Sequence, residues 1–153
     1  MIRLHNDNLG RLLHPILYHR IHTFCVEYTP EIPAELFTNA ILQRLYSSDS
    51  SLHILVTLDD NYTVTEHGII DIQHAYGIPV IHCFQLVKDK PNVSTMDEFM
   101  EYLDKLKAET NAVCITFTTV KNTKAYQKRY GYTLLRSVML KTSAQADDSN
   151  SED

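Results

Sequence analysis

Asp71 and His82 are the residue types most able to move a proton in the middle of this chain. A two-residue turn at Tyr76-Gly77 would pair residues whose numbers sum to 153, setting Asp71 opposite His82 and Ile69 opposite Phe84. An Asp–His pair on a sheet can be a general base with its orienting carboxylate. It can equally be an ordinary cross-strand polar pair. A longer loop would change every partner, so the sequence leaves both readings open.

Other reactive types are scattered. Among the 8 histidines, His19 and His22 can share a helix face with His14 one turn earlier. No cysteine or carboxylate completes the set of about four ligands that structural zinc takes, so no metal is expected. Cys25, Cys83 and Cys114 lack CxxC spacing and lie among apolar neighbours, which reads as buried reduced thiols. Only 4 glycines are present, Gly10, Gly68, Gly77 and Gly131, too dispersed for a dinucleotide fingerprint or a P-loop.

Charge is unevenly placed. The net value is −5, and residues 143–153 contribute Asp147, Asp148, Glu152 and Asp153 with no base. Just before them, Lys121, Lys124, Lys128, Arg129, Arg136 and Lys141 occur without an acid. This layout suits docking on protein partners, with Lys121, Lys124, Lys128, Arg129, Asp147 and Asp148 as candidate contacts. The same cations could meet nucleic-acid phosphates, but no stacking aromatic motif or helix-turn-helix pattern accompanies them.

The elements that must position these residues follow from apolar spacing. With 153 residues, 44% apolar and 22% charged, the chain reads as one domain over 1–142 with an acidic polar tail over 143–153. Met1 to His5 can be a strand. A helical stripe runs from Leu9 to Cys25, kinked or begun at Pro15, and a second helix runs from Pro33 to about Tyr46. Period-2 alternation marks strands over Leu52–Leu58, Tyr62–His74 and Ile78–Val87. Ser94 caps an amphipathic helix with Met96, Phe99, Met100, Leu103 and Leu106 on one face. Ala112–Thr118 reads as a strand, Lys121–Tyr130 as a helix and Tyr132–Lys141 as a last strand. The N-terminus lacks a signal-peptide run and no stretch approaches the roughly 18 apolar residues of a membrane span, so a soluble protein made in a cytoplasm is expected. The predicted class is α/β (α+β), a mixed, mostly antiparallel twisted sheet of about six strands flanked by about four helices.

That order, over residues 1 to about 141, resembles the GNAT superfamily of N-acetyltransferases. The most specific match is NTKAYQKRYGYTLL, where Asn122, Ala125, Tyr126, Gly131 and Tyr132 stand where the family repeats an Asn, an Ala, a Tyr and a Gly-aromatic pair. The resemblance implies acetyl-CoA as donor and Tyr126 as general acid toward the departing thiolate, although an aromatic at that spacing also suits a core. It also implies a pyrophosphate loop before the central helix, whose N–H groups bind phosphate. In that loop Lys90 falls on the basic position, Val93 on a glycine and Thr95 on a small residue. A valine side chain obstructs close backbone approach, Pro91 removes a donor, and Asp97 and Glu98 place negative charge in the first turn.

The expectation is a GNAT fold without cofactor or catalytic residues. If the chain is active, Tyr126, Asp71 and His82 form the catalytic set, and Lys90, Val93, Ser94, Thr95 and Asn122 meet the coenzyme. Small GNAT-like proteins without the coenzyme loop resemble a group encoded by tailed bacteriophages, internal virion or head-assembly proteins. The segments HPILYHRIHTFCVEYTPEIPAELF and TKAYQKRYGY carry that likeness. It implies a non-catalytic virion component, made in the host cytoplasm, present in multiple copies and partnered with portal or core subunits. The alternative is an acetyl-CoA-dependent N-acetyltransferase with a divergent loop.

Overall fold

Strands that alternate apolar residues on both faces need cover on both sides, and the chain supplies it with helices before and after its central meander. The structure, a computed structural model, describes residues 1–90, 93–118 and 123–133, with backbone alone at 93, 94 and 123–125. Ile2–Arg3 (β1), Leu52–Leu58 (β2), Val64–Ala75 (β3), Ile78–Lys88 (β4) and Ile115–Phe117 (β5) form one sheet in the order β1-β2-β3-β4-β5. The first three pairings are antiparallel and β4 with β5 is parallel.

The helices are Asn8–Leu12 (α1), His14–Tyr28 (α2), Ala34–Tyr46 (α3), Val93–Thr110 (α4) and Thr123–Tyr130 (α5). The expected first helix is two. Asp7 caps α1 by accepting from the Gly10 N–H at 3.0 Å, and Pro15 sits in the first turn of α2, where its missing N–H costs nothing. The sheet is thus flanked by five helices, in keeping with the expectation of about four. Of the expected last strand, only Tyr132 and Thr133 are described, without strand pairing, and the remainder and the tail lie outside the described residues.

Two cores result. On one face Leu13, Leu17, Ile21, Ile41 and Leu45 pack on Ile54, Val56 and Ile69. On the other, Phe99, Leu103 and Leu106 of α4 pack on Leu55, Ile70, Ile81 and Cys83. Phe99 and Leu103 are fully buried, as the helical stripe predicts. A Cβ at Gly68 would come within 2.5 Å of the Phe99 ring, so α4 lies where only glycine lets it lie.

The β3–β4 hairpin turns through Tyr76 (φ 54°) and Gly77 (φ 77°), the pair of left-handed residues that a tight two-residue turn requires. Asp71 faces His82 as expected. Ile69 does not face Phe84. It pairs with Gln85, because the register shifts by one residue between Ile69 and Ile70. Phe84 is the extra residue of a β-bulge.

The cysteines divide. Cys25 and Cys83 are buried, but Cys114 is exposed, against the expectation of three buried thiols. It precedes β5 in the loop that follows α4. Among the described residues no group of His, Cys, Asp and Glu is arranged to hold a metal, and no helix is long and apolar enough to cross a membrane.

Candidate active site

The sheet opens where β4 and β5 part. β5 pairs with β4 only over Ile81–Cys83, and the Thr118 N–H donates to the Cys83 carbonyl at 3.2 Å. Yet β4 runs on to Lys88. From Phe84 onward its outer edge has no strand beside it among the described residues. The Asp89 N–H bonds the Thr65 carbonyl at 3.0 Å, so odd-numbered residues beyond the bulge face β3. Strand alternation then turns the backbone N–H and C=O of Leu86 toward the open side. Such an edge can accept an extended, amide-bearing chain.

The bulge is anchored from behind. Gln85 accepts from His67 Nε2 at 2.9 Å and its amide donates to the Ile21 carbonyl at 3.4 Å. Arg20 Nε donates to His67 Nδ1 at 3.1 Å, which puts the imidazole proton on Nε2. Burial pushes His67 down to about 4, so the ring is neutral and both nitrogens are satisfied. Arg20 also pairs with Asp89 at 2.9 Å, beyond the end of β4. None of Arg20, His67 and Gln85 stands out in the sequence. A signal existed: the inward residues on the α4 face step from Ile81 to Cys83 by two, then to Leu86 by three.

His82 stands beside the fork, but Asp71 is not its hydrogen-bond partner. The Asp71 carboxylate accepts from Arg44 at 2.7 Å and from Gln73 at 3.2 Å. The structure places the imidazole between two hydroxyls instead, with Nδ1 at 2.6 Å from Thr116 Oγ1 of β5 and Nε2 at 2.9 Å from Oγ1 of Thr118, the residue after β5. The Phe84 ring packs edge-on against it at 4.5 Å, and Phe37 of α3 backs Phe84. Burial lowers the His82 pKa, and the Asp71 charge opposes this in part. His82 is therefore a neutral, half-buried base.

The start of α4 holds the residues predicted for phosphate. Lys90 is exposed, and Val93 and Ser94 have their backbone in the first turn of α4. Lys88 Nζ donates to Thr95 Oγ1 at 2.6 Å, and Thr95 Oγ1 donates to Glu66 Oε1 at 3.0 Å. Lys88 and Glu66 thus form a buried pair bridged by a hydroxyl. Asp97 and Glu98 do not fall in the first turn as expected, because α4 already begins at Val93 and its first turn holds no acid. Nor are they bare charges. Arg129 grips Asp97, whose pKa is lowered chiefly by that bond, and Glu98 meets the amino group of Met1.

Tyr126 lies half-buried in an aromatic cluster, 5.4 Å from Phe117 and 6.4 Å from Tyr132, ring centre to ring centre. Phe117 is the β5 residue paired with Cys83, so this cluster floors the α4 side of the fork. Of the docking candidates, Lys128 is exposed and Arg129 is engaged by Asp97. Lys124 contributes backbone to α5, while Lys121, Asn122, Asp147 and Asp148 lie outside the described residues. Of the α2 histidines, His22 stacks on Tyr18 and His14 on Tyr46, while His19 is exposed.

No protein-family profile and no curated protein matches the sequence. Solved structures do match the fold. A probable acetyltransferase aligns with a TM-score of 0.64 at 15% identity, over 93% of this chain and 97% of its own. A ribosomal-protein-alanine N-acetyltransferase from Brucella melitensis biovar Abortus 2308 aligns at 0.59 and 12%, over 92% and 98%. An aminoglycoside acetyltransferase from an uncultured soil metagenomic sample, in complex with sisomicin, aligns at 0.64 and 12%, over 92% and 93%. At these identities the likeness is one of fold. The chain has a GNAT-like fold, mixed α/β with a mostly antiparallel sheet.

Proposed function

We propose that this GNAT-like chain is an N-acyltransferase that moves an acyl group from an acyl-CoA thioester to a primary amine. The observation that carries this reading is the fork: β4 bulges at Phe84 and parts from β5 after Cys83, beside the neutral base His82. The open edge at Leu86 can pair with the amides of a pantetheine arm, and Tyr126 stands across β5 as a candidate acid for the thiolate. In this reading Lys90 and the α4 residues Val93, Ser94 and Thr95 would meet the phosphates, and Asn122, outside the described residues, is a further candidate. Asp97 and Glu98 count less against phosphate than the sequence implies, because they lie past the first turn of α4 and are paired, Asp97 with Arg129 and Glu98 with Met1. A paired carboxylate repels an anion less than a bare one does.

A non-catalytic reading is favoured by Pro91 and Val93, which spoil the loop as a donor cradle. In it the chain is a virion or assembly component that docks through Lys121, Lys124, Lys128 and Arg129, and through Asp147 and Asp148, on portal or core subunits. The observations on the fold bear on acyl transfer more directly than on a virion. Calorimetry with acetyl-CoA, followed by a free-thiol assay with primary amines, separates the two. Saturable binding and amine-dependent thiol release support the enzyme. No binding at millimolar acetyl-CoA leaves the docking protein.

A further inference from the structure

The hydroxyls of Thr116 and Thr118 hold the two nitrogens of the His82 ring. Thr116 has one hydroxyl proton, and Thr116 Oγ1 donates it to the Ile81 carbonyl at 3.4 Å. With that proton so used, the same oxygen, 2.6 Å from His82 Nδ1, is left to accept, an arrangement that favours the imidazole proton on Nδ1. The bare lone pair lies on Nε2. Its partner is the hydroxyl of Thr118, 2.9 Å away and exposed. Thr118 is also the residue whose N–H makes the last bond to Cys83 before the strands part.

We infer that Thr118 is the outer end of a proton relay, through which His82 Nε2 takes the proton of an ammonium acceptor entering on the α2–α3 side of the fork. This rests on the acyl-transfer reading and adds to it the path of the proton and the side of entry. The step balances. The ammonium gives a proton to Thr118 Oγ1 as the Thr118 hydroxyl proton passes to Nε2. The freed amine attacks the thioester carbonyl, the C–N bond forms and the C–S bond breaks. The thiolate takes a proton from Tyr126, which the second amine proton restores, and His82 returns the first to solvent.

The surroundings suit that task. Among the described residues the charged groups facing the ring are Asp71 of β3 and, through it, Arg44 of α3. β5 offers only hydroxyls, and Phe84 with Phe37 closes the remaining side. An imidazolium formed there meets the Asp71 charge, while the neutral ring is kept bare at Nε2. The aromatic wall fits an acceptor whose amine is carried on an apolar or aromatic body rather than on a polyanion.

Two measurements on the full chain test this. Nitrogen-15 imidazole spectra, assigned with His82→Gln, should show His82 protonated at Nδ1 above pH 7. A ring protonated at Nε2 overturns the relay whatever the activity. Thiol release from acetyl-CoA is then followed with an alanine-terminated peptide and with a diamine. Thr118→Val should lower turnover by about tenfold or more, and Thr118→Ser should restore it. Wild-type turnover in Thr118→Val overturns the relay and leaves acyl transfer standing. If the unaltered chain releases no thiol with either amine, both the relay and the acyl-transfer reading fall.

Discussion

Arg129 holds Asp97 through two hydrogen bonds, Nε to Oδ1 at 3.2 Å and Nη2 to Oδ2 at 3.0 Å, which tie the end of α5 to the start of α4. Tyr130 adds a third bond to the same carboxylate at 2.8 Å. The consequence is electrostatic as much as mechanical. Asp97 lies just past the first turn of α4, near enough to its N–H groups to compete with any phosphate drawn to them. Arg129→Ala should therefore weaken acetyl-CoA binding by a few-fold, and the difference should shrink in high salt. Calorimetry at two ionic strengths checks it. Unchanged affinity at low salt would mean that phosphate does not lie at the α4 start.

Gly68 and Phe99 set the height of α4 above the sheet. A Cβ at Gly68 would meet Phe99 Cε2 at 2.5 Å, closer than a ring in a packed core can yield. Gly68→Ala should cost roughly 1–3 kcal/mol by overpacking. Adding Phe99→Leu should recover part of the loss. Urea unfolding of the single and double variants measures this, and additive losses would show that the ring is not what the methyl meets.

Leu103 is fully buried in the same layer. Leu103→Ala should cost about 2–5 kcal/mol through lost transfer energy and the cavity it leaves. A loss under about half a kcal/mol, of the size surface substitutions give, would mean that this face of α4 is not core.

Much of this layer was legible in the sequence because periodicity is a local property. Period-2 spacing marked Leu52–Leu58 to the residue, and the Tyr76-Gly77 turn set Asp71 against His82. Partners chosen in three dimensions were not legible. Arg44 reaches Asp71 from α3, and Thr116 and Thr118 reach His82 from a strand more than thirty residues on. The division of the first helix at Pro15 was open in the sequence, since proline suits either a kink or a start.

His67 makes stability depend on pH with a definite sign. Its folded pKa is about 4, below the ordinary imidazole value, because burial penalises the charged ring. The unfolded chain then binds more protons between about pH 4 and 6.5, so its contribution is full above that window and lost as pH falls through it. His53, also lowered to about 4 by burial beside Tyr102, acts in the same direction. Urea midpoints should drop from pH 7 to pH 4.5. His67→Gln, though less stable at pH 7, should show a shallower dependence. An equal slope in the variant would show that this ring is not the linked group.

The bulge itself can be removed. Phe84 and Gln85 project on the same face: Phe84 meets Phe37 and His82, while Gln85 reaches Ile21 on α2. Regular alternation from Cys83 would place Gln85 facing α2 and Leu86 facing α4 only if Phe84 were absent. Deleting Phe84 therefore keeps every later residue of β4 on its present face, with Gln85 still opposite Ile69 and Leu86 still in the α4 core. The variant should fold cooperatively, with a loss of roughly 1–3 kcal/mol for the missing ring. What it should lose is the local bend that turns β4 away from β5. Acetyl-CoA affinity should fall by about tenfold or more if the arm pairs with that bent edge, a change of about 1.4 kcal/mol. Deleting Gln85 instead removes the His67 anchor and serves as the comparison, being expected to destabilise more. If the Phe84 deletion binds acetyl-CoA as the parent does, the fork does not depend on the bulge. If it fails to fold while the Gln85 deletion folds, the assignment of Phe84 as the extra residue is wrong.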